Sequence, residues 1–205
     1  MTGPSEIIQA TAPVVKQFQQ LGVAYYLGGS VASSIHGIPR STLDVDLIAA
    51  IREPHIADFV EALVDRYYVS ASMIRQAITD ESCFNVIFLE TMFKVDVFVA
   101  KSRPFDQASM SRIGRSVIGS PGERIDVWVA SPEDVVLNKL EWYRKADRIS
   151  ERQWLDVQGV LKVQRKLLDL GYMRKWAGEL DIADLLDEAL CEAGIADTPD
   201  DHGQK

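Results

Sequence analysis

Three aspartates lie in apolar segments of the sequence, where folding alone gives no reason for them. Asp44 and Asp46 belong to the run TLDVDLIAA, and Asp96 belongs to the run FKVDVFVA. Aspartate is depleted in strands, and residues two apart on one strand project from the same face, about 6–7 Å apart. Two adjacent carboxylates repel each other unless a cation lies between them, and hard oxygen ligands suit Mg²⁺ or Mn²⁺. The pattern predicts a divalent-metal site, which Asp96 completes if its strand lies beside the first.

A glycine-rich turn precedes the first aspartates. Gly28, Gly29 and Ser30 follow a predicted strand and open a predicted short helix. Glycine lets the backbone approach a ligand closely, and the free N–H groups and dipole of a helix N-terminus attract phosphate. Such a turn by itself is more often only a turn. Because Asp44 follows it after thirteen residues, the combination predicts a nucleoside triphosphate held by its phosphates and by metal.

The aspartates also have a purely structural interpretation. A pair at the end of a strand can face solvent or cap the following helix, and Asp96 could form a salt bridge with Lys94 or Lys101. The spacing of the aspartates relative to the glycine-rich turn favours the metal site over these alternatives.

The combined pattern resembles the nucleotidyltransferase superfamily, which includes DNA polymerase beta, the CCA-adding enzymes and the aminoglycoside nucleotidyltransferases. The resemblance extends over about residues 20–165 and depends on residues 28–30 and on the three aspartates. Within the superfamily, the segment IPRSTLDVDL is similar to AbiEii-like toxins and CCA-adding enzymes. Residues 131–161 look like the helical region of AbiEii-like toxins.

This resemblance implies a role for each matching residue. Asp44, Asp46 and Asp96 are the implied catalytic residues and hold two divalent ions, Mg²⁺ or Mn²⁺, and Asp96 also helps to activate the attacking hydroxyl. Asp156 supports the site, with Asp147 as the alternative, because the arginines and aspartates that follow the lysine are spaced more loosely here than in AbiEii-like proteins. The residues implied to bind the nucleotide and its phosphates are Gly28, Gly29, Ser30, Arg40, Thr42 and Lys139.

The elements that must position these residues form a mixed α/β segment. Hydrophobic patterning predicts helices and strands, with Leu43, Val45 and Leu47 facing the core. The predicted helices are 5–20, 30–36 and 53–68; the predicted strands are 23–27, the two aspartate-bearing runs, CFNVIFLE and a hairpin over 115–130 that turns at 120–122.

Helices alone are predicted after residue 131, over 132–146, 151–163, 165–177 and 180–193. This order favours an α+β fold, and the resemblance implies a polymerase-beta-like mixed sheet with flanking helices and a C-terminal helical region. The predicted domains are a nucleotidyltransferase core over 1–130, the helical region over 131–194 and a disordered tail over 195–205.

Composition and charge limit the setting in which the protein works. The chain of 205 residues is 47% hydrophobic and has a net charge of −8, which provides no general attraction for nucleic acid or anionic membranes. A basic cluster over 144–152 could guide a nucleic-acid acceptor, but a solvated helix–helix junction explains it better. Two distant cysteines fit a reducing compartment, and no apolar run approaches the roughly 20 residues of a membrane span. We therefore predict a cytoplasmic protein without a membrane partner.

The sequence favours a metal-dependent enzyme that transfers a nucleoside monophosphate from a nucleoside triphosphate to an acceptor hydroxyl. The AbiEii-like features imply tRNA or protein as the acceptor and a toxin with a cognate antitoxin as partner. The acidic charge favours the runner-up, a small-molecule acceptor such as an antibiotic. A nucleotide-binding regulatory or antitoxin module without turnover, and a scaffold that dimerises through its helices, are the alternatives from other classes.

Overall fold

A mixed β-sheet dominates the first part of the structure, a computed structural model that describes residues 6–119 and 122–195. Within those residues the strands are β1 (Tyr25–Leu27), β2 (Asp44–Ala49), β3 (Tyr67–Tyr68), β4 (Cys83–Phe88), β5 (Phe93–Val99), β6 (Gly114–Ile118) and β7 (Ile125–Val129). They lie side by side in the order β3-β4-β5-β2-β1-β7-β6. The pairs β2–β5 and β1–β7 are parallel, and the other neighbouring pairs are antiparallel. The predicted α+β fold with a mixed sheet is confirmed.

The central strands have one apolar and one polar face. Val45 and Leu47 of β2, with Val95 and Val97 of β5, are completely buried. Side chains alternate between the two faces of a strand, so the aspartates between these residues point to the opposite face. The sequence alternation thus separates the core of the sheet from the chemically unusual residues.

Two helices of this part of the chain contribute aromatic side chains to the apolar face of the sheet. The helices of this part of the chain are α1 (Glu6–Gln20), α2 (Gly29–His36), α3 (Ile56–Leu63), α4 (Ala71–Thr79) and α5 (Pro104–Ser111). Phe18 of α1 stacks on Phe59 of α3 at 5.1 Å between ring centroids, and Phe59 meets Phe84 of β4 edge to face at 6.3 Å. Since Phe84 is the cross-strand partner of Val97, these rings lie on the apolar side, and the aspartates lie on the other.

The described residues divide into two compact units, one of residues 6–32 and 40–131 and one of residues 33–39 and 132–195. The second is helical and contains α6 (Pro132–Lys145), α7 (Glu151–Gln164), α8 (Leu170–Glu179) and α9 (Ala183–Glu192). Gly37 lies so close to α7 that a Cβ would come within 2.7 Å of the Val160 backbone nitrogen, which explains why glycine stands there. The domain boundaries predicted from the sequence stay predictions.

The helix predicted over 53–68 is wrong at its C-terminal end. After a 3₁₀ turn at Glu53–His55, α3 ends at Leu63, and Tyr67–Tyr68 instead form the edge strand β3 beside β4. The buried hydroxyl of Tyr67 donates a hydrogen bond to the carbonyl of Ala10 at 3.0 Å. That tertiary contact helps to hold this segment in an extended conformation. The local sequence pattern could not predict it, because Ala10 is distant in sequence from Tyr67.

The exposure of Leu43 corrects a second expectation. The alternation of the sequence predicts that Leu43 faces the core with Val45 and Leu47, but Leu43 is 89% exposed. The strand begins only at Asp44, whose pairing with Lys94 opens the β2–β5 ladder. Leu43 therefore lies in a bend before the sheet, where the alternation of strand faces does not apply.

Smaller differences concern helices and the segments that lie outside the described residues. The sequence pattern does not predict α4 and α5, and α8 begins at Leu170 rather than near 165. The turn predicted at 120–122 and the disordered tail predicted at 195–205 fall largely on residues outside the described ranges. Among the described helices, none combines the length and apolarity that a membrane crossing needs.

Candidate active site on the polar face of the sheet

The register of β2 and β5 brings the predicted aspartates together. Asp46 is the direct partner of Asp96, and Asp44 is the direct partner of Lys94, in a parallel ladder. Neighbouring strands lie about 4.8 Å apart, so Asp46 and Asp96 are adjacent and Asp44 lies one pleat away on the same face. Three carboxylates from two strands distant in sequence thus converge on one side of the sheet.

The glycine-rich turn packs directly against one of these carboxylates. The backbone N–H of Gly28 donates to the carbonyl of Asp46 at 2.9 Å, which ties the turn to β2. Gly29 has a φ of +51°, and a Cβ built there would overlap the Asp46 carboxylate oxygen Oδ2. A side chain would be strained by the backbone angle and would displace the carboxylate, so this position requires glycine for two independent reasons.

We predict that Gly29→Ala both destabilises the protein and displaces Asp46. The matched control is Gly22→Ala, because Gly22 also has a positive φ, +66°, but a Cβ at Gly22 would have no atom within 4 Å. The control should lose only about 1 kcal/mol of unfolding free energy from the backbone angle. Gly29→Ala should lose more unfolding free energy in urea titrations, and the nucleotidyl transfer that the sequence predicts should fall by at least about tenfold. Equal losses in the two variants would contradict the role of the close approach.

Two side chains before β2 contact the turn and the first aspartate. The guanidinium of Arg40 donates from Nη2 to Ser30 Oγ at 2.5 Å, and the hydroxyl of Thr42 donates to Asp44 Oδ1 at 2.8 Å. Arg40 is exposed, so it brings a positive charge to the start of α2. Thr42 restrains the carboxylate of Asp44.

Lys94 and Asn85 are site residues that the sequence analysis did not assign. The ammonium of Lys94 lies 2.6 Å from Asp96 Oδ2, and the amide of Asn85 donates to Asp96 Oδ1. The salt bridge considered as an alternative for Asp96 is therefore present. The hydrogen bond that Lys94 donates to Asp96 raises the pKa of Lys94 despite partial desolvation, and the negative charges of all three aspartates raise this pKa further. The sequence contained one signal for these two residues: they are polar residues at alternate positions of the apolar runs CFNVIF and FKVDVFV, and alternate positions of a strand share a face.

The thiol of Cys83 on β4 shares this negative environment. Burial raises the pKa of Cys83 to about 12, and the negative charges of Asp96 and Asp46 contribute to the increase. The thiol is therefore protonated at neutral pH, and a protonated thiol is a poor nucleophile and a poor metal ligand. The carboxylates of this face, and not this thiol, are therefore the candidate metal ligands.

The donor chemistry of the aspartates fits a divalent metal ion. Carboxylate oxygens are what Mg²⁺ and Mn²⁺ prefer, and Gly29 leaves room against Asp46 that a larger residue would fill. Within residues 6–119 and 122–195, however, no group of three acidic, histidine or cysteine side chains is arranged to hold a metal. Both oxygens of Asp96 accept hydrogen bonds from nitrogen instead. The three carboxylates have the donor chemistry that the ion needs, but their present arrangement does not hold it, and Asp96 would first have to give up one of its nitrogen donors.

Lys139 and Asp156, predicted to serve the same site, bind each other within the helical unit. The Lys139 ammonium donates to Asp156 Oδ2 at 2.8 Å and to Gln153 Oε1 at 3.0 Å. The sequence pattern places Lys139 at the edge of the buried stripe of its helix, but this residue is only 4% exposed and thus part of the interior. Asp147, the alternative to Asp156, is exposed and lies in the connection after α6 with a φ of +51°.

Two arginines of the basic cluster over 144–152 form ion pairs with acidic residues of α9. Arg144 pairs with Asp184, and Arg148 pairs with Glu188, so both arginines reach α9. These contacts agree with the interpretation of a solvated helix–helix junction for the two arginines. Their charges are partly neutralised by acidic partners on the same unit.

Comparison with known proteins identifies the family. Residues 14–189 match the family described as "Nucleotidyltransferase of unknown function (DUF6036)". The chain belongs to this family. No curated protein matches the sequence significantly. The resemblance to the nucleotidyltransferase superfamily is thereby confirmed, whereas a particular closeness to AbiEii-like toxins is not shown.

Solved structures with the same fold are distant in sequence from this DUF6036 protein. An antigenic nucleotidyltransferase-like protein from Paracoccidioides brasiliensis is 16% identical with a TM-score of 0.58, covering 93% of this chain and 94% of the other. ANT(2'')-Ia in complex with adenylyl-2''-tobramycin is 10% identical with a TM-score of 0.53, covering 90% and 98%. At such identities the likeness establishes the nucleotidyltransferase fold alone.

Proposed function

We propose that this DUF6036 protein transfers a nucleoside monophosphate from a nucleoside triphosphate to an acceptor hydroxyl. The observation that carries the proposal is the pairing of Asp46 with Asp96 across β2 and β5, with Gly29 packed on Asp46. The acceptor oxygen forms a bond to the α-phosphorus, the bond to the bridging oxygen of the β-phosphate breaks, and pyrophosphate leaves. This reaction belongs to the EC 2.7.7 type.

The three carboxylates have distinct roles in the proposal. Asp44 and Asp46 would hold two divalent ions, Mg²⁺ or Mn²⁺, and Asp96 would share one of them. When bound, such ions lower the pKa of the attacking hydroxyl and stabilise the leaving pyrophosphate. Asp96 helps to activate the acceptor hydroxyl by accepting its proton. Thr42 supports this arrangement through its hydrogen bond to Asp44.

The residues around the turn would bind the triphosphate. Backbone N–H groups of Gly28, Gly29 and Ser30 and the Ser30 hydroxyl supply donors at the start of α2, where the helix dipole favours phosphate. Arg40, which contacts the Ser30 hydroxyl, supplies a charged donor for phosphate oxygens. These side chains recognise phosphate without selecting a base.

Lys139 and Asp156 have a coupled role in the proposal. Lys139 would contact the triphosphate, and Asp156 would hold the ammonium until nucleotide binds. Their mutual hydrogen bond supports this coupling and favours Asp156 over Asp147 as the supporting carboxylate. In this proposal, the carboxylates that bind the metal belong to the core, 1–130, and the lysine that contacts the phosphate belongs to the helical region, 131–194.

For the acceptor we propose tRNA or protein, with the protein acting in the cytoplasm as the toxin of a toxin–antitoxin pair. The similarity of residues 131–161 to AbiEii-like toxins supports this choice. A small molecule of the antibiotic type is the second candidate. It is favoured by the net charge of −8 and by the engagement of Arg144 and Arg148 with acidic partners, which leaves less positive charge for RNA.

The test is incubation with each α-labelled nucleoside triphosphate, Mg²⁺ or Mn²⁺, and a total cell extract. The control is the double variant Asp44→Ala/Asp46→Ala under the same conditions. Label on RNA, protein or a small molecule that requires the intact carboxylates would establish the transfer and identify the acceptor class. Metal-dependent nucleotide binding without any label would instead support a regulatory or antitoxin module, and the absence of both would refute the site.

A further inference from the structure

We propose that Lys94 is a built-in counter-ion that competes with a divalent metal ion for Asp96, so that the free protein binds one such ion tightly rather than two. This inference rests on the proposed function, because it concerns the carboxylates assigned there to the metals. It assigns Lys94 a positioning role and predicts an asymmetry between the two metal positions.

The first argument is the position of Lys94 in the ladder. Lys94 is the register partner of Asp44 and lies two residues before Asp96 on β5, so its side chain projects from the same face as the three carboxylates. These four side chains carry three negative charges and one positive charge. One divalent ion neutralises that set, and a second ion would bring an excess of positive charge beside the ammonium.

The second argument is the saturation of Asp96. The Lys94 ammonium lies 2.6 Å from Oδ2, and the Asn85 amide donates to Oδ1, so each oxygen of Asp96 already has a nitrogen donor. A metal ion at Asp96 must therefore displace a hydrogen bond, whereas Asp44 accepts a hydrogen bond from the neutral hydroxyl group of Thr42. Metal binding at Asp96 therefore costs more free energy than metal binding at Asp44.

The third argument identifies the group that moves. The Lys94 side chain is 42% exposed, whereas that of Asp96 is only 12% exposed. A lysine has a flexible stem and a strongly hydrated head, so the ammonium can leave for solvent while Asp96 stays in place. The negative charge of a bound triphosphate would favour that exchange and admit a second ion.

The experiment is a titration of the free protein with Mn²⁺, in which unbound Mn²⁺ is measured by electron paramagnetic resonance. We expect about one tightly bound ion in the wild-type protein. Lys94→Met should bind Mn²⁺ at least about tenfold more tightly, or bind a second ion, because the competing charge is gone. Lys94→Gln should behave like Lys94→Met, since it removes the same charge while keeping a hydrogen-bond donor.

The matched control is Lys101→Met, which removes one positive charge from an exposed position just after β5. It should leave Mn²⁺ binding unchanged. Thermal unfolding with and without Mn²⁺ provides a second readout, because a ligand that binds the folded state more tightly stabilises it more. Lys94→Met should show the larger Mn²⁺-induced shift, which also verifies that the variant is folded.

Several outcomes would overturn the inference. The first is that the wild-type protein binds two Mn²⁺ ions with equal affinity. The second is that both Lys94 variants bind Mn²⁺ as the wild-type protein does or more weakly. The third is that Lys101→Met changes Mn²⁺ binding as much as the Lys94 variants do. The proposed function fails separately: if Asp44→Ala/Asp46→Ala binds Mn²⁺ as the wild-type protein does, the carboxylates are not the metal site. Loss of binding in that double variant, with no effect of Lys94, would refute the inference alone.

Discussion

Replacing Asp46 by asparagine is expected to lower nucleotidyl transfer by about three orders of magnitude or more, with little loss of stability. The amide has nearly the shape of the carboxylate, so the packing against Gly29 should persist. It lacks the charge that holds a divalent ion, and loss of an ion that stabilises the transition state is worth several kcal/mol. Asp46 is also the direct neighbour of Asp96, and removing one of two adjacent negative charges relieves repulsion.

The measurements are the initial rate of label transfer and the midpoint of thermal unfolding. Asp126→Asn is the matched control, because Asp126 lies on β7 of the same sheet, is exposed, and lies outside the proposed site. It should retain wild-type transfer. If Asp46→Asn kept more than about a tenth of the wild-type rate, the metal-binding role of this carboxylate would be refuted.

Breaking the Lys139–Asp156 pair is expected to cost about 3–5 kcal/mol of unfolding free energy. Lys139 is 4% exposed and Asp156 is 8% exposed, so either single substitution, Lys139→Met or Asp156→Leu, removes one charge of this buried ion pair and leaves the other charge buried. The double variant Lys139→Met/Asp156→Leu should be far more stable than either single variant. An apolar pair of similar volume often replaces a buried ion pair without loss.

Urea unfolding of the four proteins gives the coupling energy directly. Arg148→Met is the control within the same helical unit, because the side chains of Arg148 and Glu188 are both more than 40% exposed, and such pairs contribute only about 0–1 kcal/mol. Additive effects of the two single substitutions would show that the buried pair is not coupled.

The same double variant separates structure from function at Lys139. If Lys139 contacts the triphosphate, the folded double variant should show a raised KM for the nucleotide. A stable double variant with wild-type KM would restrict Lys139 and Asp156 to a structural role and refute their coupled assignment.

Much of the candidate site could be predicted from local sequence. The alternation in TLDVDLIAA and FKVDVFVA assigns Asp44, Asp46 and Asp96 to the polar sides of two strands, because every second side chain of a strand shares a face. Aspartate is depleted in such runs, so its presence there predicts a role beyond folding. The glycine-rich turn at 28–30 was predictable for the same reason, since residue type and local position together limit what it can do. The nucleotidyltransferase resemblance followed from these features, and the family match over 14–189 confirms it.

Other features depend on contacts between residues distant in sequence. The parallel register that sets Asp46 beside Asp96, and Lys94 beside Asp44, joins strands about fifty residues apart. The edge strand at Tyr67–Tyr68 is stabilised by pairing with β4, which overrides the helical periodicity of the preceding residues.

The sequence by itself determined which residues are candidates for the chemistry, on which kind of element most of them lie and which superfamily the protein resembles. Only the tertiary structure decided their partners. One example is Asp96, which binds Lys94 and Asn85. Another is Lys139, which is buried against Asp156. The physical reason is that residue type and periodicity are local properties, whereas strand register, helix packing and the desolvation of a charge depend on segments brought together by folding.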